Sequence, residues 1–440
     1  MKILIENGVY HLRNMGDVAM MQVLAARMNR LWPNATVEIL TREPEKLKHY
    51  CPDAQPLDVN GRRLWFHGPK LFGNRLYDIA PRPVSRRLAG LDREVRYQWP
   101  TFAHAVLNNQ LKSRAQDQRD LNCFFDTISN TDLVVLSGCG GLTDSFLATA
   151  NSFLDMIEMA VRAGIPTALV GQGIGPVTKS RLYDRMKAIL PEVDLIAVRE
   201  RLKGPDILEQ MGVDPAKIWV TGDDAVELAH SADRLAELGT ALGINLRVSS
   251  YSEVDGHQLN LVREILHQTA TTYQATLLPV PISFHEKEAD MGSIRKLLNG
   301  HLDQSTAELA MDDPYELIKQ VQRCRVVVTG SYHAAVFALS QGIPAVCLPK
   351  SDYYNDKFLG LADQFGTGCT VVSLNDPRLA DKLTTAIKIA WESVEDVKES
   401  LLAAAARQIE AGHAAYQQIR HIVNTRRALT PSRKRAGVGS

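Results

Sequence analysis

The chain has 440 residues, 45% of them hydrophobic, and its 50 Lys and Arg balance 50 Asp and Glu to a formal net charge of zero. That length exceeds one ordinary domain and implies two, and the charge balance excludes a global attraction for nucleic acid. No apolar run comes near the roughly 18 residues of a spanning helix, and the N-terminal MKILIENG turns polar too soon for a secretory signal, so the expected location is the cytoplasm.

In chain order, strands are expected at Lys2–Glu6, Thr36–Leu40, Leu133–Ser137, Pro166–Gly171, Leu195–Arg199 and Ile218–Thr221, then at Ala241–Val248, Ala275–Val280, Val326–Gly330, Ala345–Leu348 and Thr370–Val372. They are short, β-branched and continuously apolar, and they alternate with patterns of helical period such as Ala148–Ala163 and Pro314–Arg323. That combination indicates parallel sheets covered on both faces. The expected fold is α/β, with two doubly wound parallel-sheet domains facing a cleft. The domains are 1–235 and 236–425, divided at the polar segment His230–Gly239. A terminal helix, Leu379–Thr425, reaches back toward the first domain, and 426–440 is a basic flexible tail. Ligands of such sheets sit beyond the carboxyl ends of the strands. Six widely spaced cysteines (Cys51, Cys123, Cys139, Cys324, Cys347 and Cys369) form no CxxC pair and read as reduced, buried thiols. No metal-ligand cluster is seen.

The loops after the strands carry the candidate chemistry. NGVYHLRNMGDVAMMQVL places Asn14, Gly16 and Asp17 between a strand and a helix. LVVLSGCGGLTD gives Gly140, Gly141 and Asp144, and LVGQGIGPV gives Gln172 and Gly173; glycines there let backbone N–H groups approach a ligand, beside helix starts that favour anions. LIAVRE ends a strand on Arg199, placed for bidentate contact with phosphate or carboxylate, or for an ion pair. VTGDDAVEL sets Asp223 and Asp224 after another strand, where capping the next turn is the simpler role. In the second half, LPVPISFHEKEAD supplies His285 and Asp290, and RVVVTGSYHAAV supplies Ser331, Tyr332 and His333 at a helix start, where an imidazole exchanges its proton readily. SDYYNDKF adds Tyr353, Tyr354 and Lys357 at the rim.

The series NMGDVAM, GCGGLTD, GQGIGP, VRE, GDDAVEL and SYHAAVFALSQGIPAV resembles, in order, the polysaccharide pyruvyl transferase family over about Lys2 to Val372. The resemblance implies a GT-B-like fold and transfer of pyruvate from phosphoenolpyruvate to two hydroxyls of a sugar as a cyclic ketal. Phosphoenolpyruvate is then a co-substrate, and no cofactor or metal is implied. It further implies Asn14, Gly16, Gly140, Gly141, Gln172 and Gly173 on the acceptor side. Arg199, Ser331, Tyr332, Lys357 and His285 fall on the donor side, with His333, Asp17 and Asp144 as acid and base candidates. The family commonly has Arg where this chain has Ser331, which removes a charged contact worth about 1.5–3 kcal/mol. Two alternatives follow: a GT-B glycosyltransferase using a nucleotide sugar, or a catalytically inactive binding homologue.

The segment Gly61–Gln118 interrupts the alternation with eleven Lys and Arg against four Asp and Glu, a net of +7, mixed with aromatics. A long insertion is more often functional than idle. It is expected to recognise the acceptor, a sugar or lipid-linked saccharide, with peripheral contact to the inner face of the membrane. The alternative is a helical hairpin packed on the domain's flank.

Overall fold

The computed structural model describes residues 1–429 except 234, 236, 250, 251, 287 and 300–311. Strands β1 (Lys2–Glu6), β2 (Thr36–Thr41), β3 (Gln55–Asp58), β4 (Leu133–Leu136), β5 (Thr167–Gln172), β6 (Leu195–Val198) and β7 (Ile218–Val220) form one sheet in the order β3-β2-β1-β4-β5-β6-β7. Strands β8 (Ala241–Asn245), β9 (Leu277–Pro279), β10 (Cys324–Thr329), β11 (Ala345–Cys347) and β12 (Cys369–Val371) form a second sheet in the order β12-β11-β10-β8-β9. All pairings are parallel, so the α/β class with two open parallel sheets is as the apolar runs imply. β3 has no counterpart among the expected strands, because QPLD at the sheet edge buries only Leu57 and so lacks an apolar run.

Strand order reverses on either side of β1 in the first sheet and of β8 in the second. Loops leaving neighbouring strands there part in opposite directions and open a crevice. In this chain those loops follow β1 and β4 on one side, and β8 and β10 on the other. The halves also share packing: Ile3, Met20 and Ala225 belong to the same buried cluster as Tyr332, Ala335 and Phe337. Between the sheets lie the helix Ala225–His230 and the expected boundary segment, of which residues 234 and 236 fall outside the described residues.

The C-terminal stretch differs from expectation in two ways. It is two helices, Leu379–Glu392 and Val394–Leu429, and the second runs past Thr425. Its extra turn is held on the first half, Arg426 pairing with Asp194 and Arg427 with Asp132 at 3.1 Å, so residues 426–429 are helix rather than tail. Residues 430–440 lie outside the described residues. Further back on this helix, the Tyr416 hydroxyl donates to Asp224 at 2.8 Å.

The insertion folds into helices Asn74–Ile79, Arg82–Gln98 and Pro100–Gln110, between Val59–His67 and Ala115–Ser129. Leu64, Trp65, Val95, Leu107 and Phe124 bury against Leu4, Leu40 and Val134 of the sheet. Among the cysteines, Cys123 is exposed and the other five are buried thiols, which corrects the expectation that all six are buried. No helix among the described residues is long and apolar enough to cross a membrane.

Candidate active site

The turn after β1 is built on Asn14. Its side-chain oxygen caps the helix Met15–Leu31 by accepting from the backbone N–H of Gly16 at 3.1 Å and of Asp17 at 3.3 Å. The same turn pairs with the second half as an isolated antiparallel bridge: Met15 N–H donates to Ile282 at 2.9 Å and Phe284 N–H donates to Arg13 at 2.8 Å. This backbone joint brings the first helix against the start of the helix Tyr332–Ser340. Gly16 is therefore obligatory for a steric reason, since a Cβ there would lie 1.9 Å from the His333 ring.

Arg199, just past β6, is the centre of the first wall. Its Nη1 donates to Asp223 Oδ2 at 3.1 Å, and its guanidinium carbon lies 4.4 Å from the centroid of the Tyr332 ring. Gly140 and Gly173 leave room for it, since a Cβ would approach Nη2 to 2.8 Å at Gly140 and to 2.6 Å at Gly173. That Nη2 is buried and has no hydrogen-bond partner. The same holds for His333 Nε2, which sits 3.6 Å from Asp223 Oδ2, at ion-pair range. Buried donors are normally satisfied, so a guanidinium that keeps Nη2 unused, beside an imidazole held on the same carboxylate only by a long contact, has the chemistry of an anion site.

From the second half, Lys357 donates to the Tyr353 hydroxyl and lies 3.9 Å from that ring's centroid, while Tyr353 donates to the Gly140 carbonyl at 3.0 Å. Arg247, just past β8, is buried and donates to Asp290 at 2.6 Å. Asn14, Asp17, Gly140, Gly141, Arg199, Arg247, His285, Ser331, Tyr332, His333 and Lys357 all line one cavity of about 580 Å³ between the sheets.

Burial sets the protonation of this cluster. It raises the Asp17 carboxyl above the ordinary range, against the opposing pull of His333, Lys357 and Arg199. Asp223 is buried too, but contact with His333, its charge and that of Arg199 outweigh burial and hold it below the usual value. Burial first, and the Arg199 guanidinium second, push Lys357 well below the ordinary lysine value. Burial also lowers His285. The Cys139 thiol is pushed up to about 12 by burial, which leaves it an unreactive wall.

Four of the sequence candidates, Gly16, Asp144, Gln172 and Gly173, do not line this cavity. Asp144 spends one carboxylate oxygen on the N–H groups of Thr178 and Lys179, at 2.5 and 3.0 Å, and on the Thr178 hydroxyl at 2.8 Å. It ties two loops together outside the cavity, and its other carboxylate oxygen is buried without a hydrogen-bond partner. Gln172 ends β5, and its amide donates to the carbonyls of Leu136, Ser137 and Val170, so it braces two strands. Gly173 serves the site only by making space for Arg199. The insertion also stays outside, since no residue of 61–118 lines the cavity. The nearest connection is indirect: Arg62 donates to Glu6 at 2.8 Å, and Glu6 accepts from Tyr10, a cavity residue. Asp223, read from the sequence only as a cap, and Arg247, which no motif marked, are the site residues that the sequence did not identify. Asp223 does cap, accepting from the Ala225 N–H at 2.9 Å, but through its other oxygen it holds Arg199. Among the described residues no group of three His, Cys, Asp or Glu could hold a metal ion.

Solved structures share the architecture. A Listeria monocytogenes protein described as a UDP-N-acetylglucosamine 2-epimerase matches with a TM-score of 0.55 at 14% identity, covering 100% of this chain and 99% of that one. The UDP-GlcNAc 2-epimerase of Methanocaldococcus jannaschii gives 0.53 at 11%, covering 96% and 100%. That of Neisseria meningitidis, bound to UDP-GlcNAc, gives 0.51 at 11%, covering 97% and 100%. At such identities the likeness is one of fold, that of GT-B-like two-sheet proteins. No curated protein sequence matches the chain closely enough to count as a relative. The profile of the polysaccharide pyruvyl transferase family matches residues 14–352, a span that begins at the Asn14 turn and includes Arg199, Asp223 and His333, and the chain belongs to that family.

Proposed function

We propose that this protein transfers pyruvate from phosphoenolpyruvate to two hydroxyls of a saccharide, releasing phosphate and leaving a cyclic ketal. The observation that carries the reading is the buried Arg199 Nη2 without a partner, beside His333 Nε2, which makes no hydrogen bond and reaches Asp223 only at 3.6 Å, in a cavity also lined by Lys357. A small ligand with both a phosphate and a carboxylate would satisfy these donors. Arg199 and Lys357 take the phosphate. Arg247 supplies a second-wall cation for the carboxylate, at a rim where Ser331 brings no charge.

The reaction needs a proton on the methylene carbon of the donor, which leaves cationic character at the neighbouring carbon. One sugar hydroxyl attacks that carbon, forming a C–O bond and giving up its proton. Phosphate then leaves with the electron pair of its C–O bond, and the second hydroxyl closes the ring and gives up its proton. His333 serves as the acid on the donor side. Asp17, with its raised carboxyl, lies within the field of His333 and receives a hydroxyl proton. Fixed cations stabilise the charge as phosphate departs.

The test is acceptor-dependent phosphate release from phosphoenolpyruvate across a panel of free and lipid-linked saccharides, with mass spectrometry of the product. The product mass should be that of acceptor plus pyruvic acid less one water. Turnover of a nucleotide sugar in the same panel, with none of phosphoenolpyruvate, would replace this reading with glycosyl transfer.

A further inference from the structure

The insertion carries a surface that the cavity chemistry does not use. Of the 15 large hydrophobic side chains exposed among the described residues, seven fall within its 58 residues. Five of these (Phe72, Leu76, Ile79, Val84 and Leu91) belong to one hairpin, formed by the helices Asn74–Ile79 and Arg82–Gln98. The hairpin is closed from inside: Tyr77 donates to the Leu88 carbonyl at 3.1 Å, Asp92 accepts from the Leu71 N–H at 2.8 Å, and Arg96 holds Asp92 and the carbonyls of Trp65 and Pro69. Its inner face is thus satisfied and its outer face is left apolar. Leu76 and Ile79 are three apart on the helix Asn74–Ile79 and so share a side, with Ile79 83% exposed, and the exposed Phe72 precedes that helix.

The charges around these side chains decide what such a surface fits. Arg75, Arg82, Arg86 and Arg87 are exposed and join no ion pair, whereas Arg62, Arg93 and Arg96 of the same segment are each paired with a carboxylate. Asp78 is the single acidic residue between Phe72 and Leu91. A protein partner would be expected to answer unpaired arginines with carboxylates and apolar side chains with a shaped pocket. A bilayer needs neither. Its anionic headgroups take the guanidinium groups, and its acyl boundary takes Leu, Ile, Val and Phe side chains that project past them.

We propose that the hairpin 72–91 is a docking surface for an anionic lipid bilayer. This goes beyond the reaction and does not rest on it, because binding is read without donor or acceptor. The whole chain is sedimented with vesicles of equimolar phosphatidylglycerol and phosphatidylcholine, and with phosphatidylcholine alone. Partition to the anionic vesicles should exceed partition to the neutral ones, and should weaken as salt rises. Arg86→Glu with Arg87→Glu, and separately Leu76→Ser with Ile79→Ser, should each lower the partition constant about tenfold or more. Both variants alter exposed side chains, and unchanged thermal midpoints would show that folding is intact. Removal of residues 430–440, whose Arg433, Lys434 and Arg435 are also basic, should leave binding as it was. Equal sedimentation with both vesicles, no sedimentation with either, or a loss that follows the tail instead of the hairpin would overturn the proposal. So would concentration-dependent dimerisation abolished by Ile79→Ser, which would assign the face to a second copy of the chain.

Discussion

Arg199 and Arg247 in the cleft are buried against Asp223 and Asp290, whereas Arg75, Arg82, Arg86 and Arg87 in the insertion are exposed and form no ion pair. The first pair is costly to bury and is held because each guanidinium has a buried carboxylate, Asp223 on the loop after β7 and Asp290 at the start of the helix Asp290–Leu298. Its reach is short and its geometry fixed, as suits a small anion. The second group costs nothing to fold and keeps its rotamer freedom, as suits a diffuse, salt-sensitive target. The same residue type thus serves two ends, and burial distinguishes them.

The sharpest way to break that comparison is to remove a carboxylate from the cleft. Asp223→Ala strips the partner from Arg199 and His333 together and should destabilise the protein by about 3–5 kcal/mol, as loss of one member of a buried pair does. Urea denaturation measures it, and donor binding should be lost as well. A variant as stable as the parent would show that Arg199 is not held as an ion pair.

Gly16 tests whether the two walls meet where His333 works. Because a Cβ there would sit 1.9 Å from the imidazole, Gly16→Ala must displace the ring. A displacement near an ångström costs about a hundredfold in turnover. The overlap reaches the His333 Cβ as well, at 2.5 Å, so overpacking should also cost about 1–3 kcal/mol of stability, and turnover is compared at a temperature where the variant is folded. Unchanged turnover would remove His333 from the reaction.

Lys357 gives a pH signature. Burial and Arg199 hold its pKa well below the ordinary value, so in the free protein it loses its proton as pH rises through that lowered value. An anionic donor favours the charged ammonium. Donor affinity should therefore be flat below the lowered pKa and weaken above it, by at most about tenfold per pH unit for one linked proton. Calorimetry in buffers of different ionisation enthalpy should show proton uptake on the falling limb. Lys357→Met should bind more weakly and without the slope; a slope that persists would move the linked proton to another group.

These sites were unequally legible in the sequence. The sheets were readable because a parallel strand buried on both faces is written as an apolar run, and β1, β4 and β10 each are. β3, with Leu57 alone buried, was not. The loops that follow the strands were readable as candidates, because a strand end fixes which end of the sheet a residue occupies. It does not fix which way the side chain turns. Gln172 and Asp144 have the position but turn toward strand carbonyls and toward the loop 178–179. Asp223 shows the complementary failure. A local capping reading was correct for one oxygen, and the contacts of the other with Arg199 and His333 depend on how two sheets far apart in sequence face each other. In the insertion, composition announced the charge but could not say that Arg62, Arg93 and Arg96 are consumed internally.

That last division gives the smallest and most discriminating prediction. Within one segment, Arg96 is buried on Asp92 and two backbone carbonyls, while Arg86 and Arg87, on the same helix, are exposed and unpaired. If burial sets the use of each arginine, Arg96→Met should destabilise the fold on the scale of the Asp223 variant. Arg86→Ser and Arg87→Ser should each stay within about 0.5 kcal/mol of the parent, as surface changes do. Donor affinity and turnover on a soluble acceptor should be unchanged in both serine variants, since neither residue lines the cavity. Urea midpoints and initial rates in parallel decide the matter. A serine variant that costs more than 1 kcal/mol would mean that the hairpin packs on something in the folded chain. A loss of turnover without loss of stability would bring the insertion back to the acceptor.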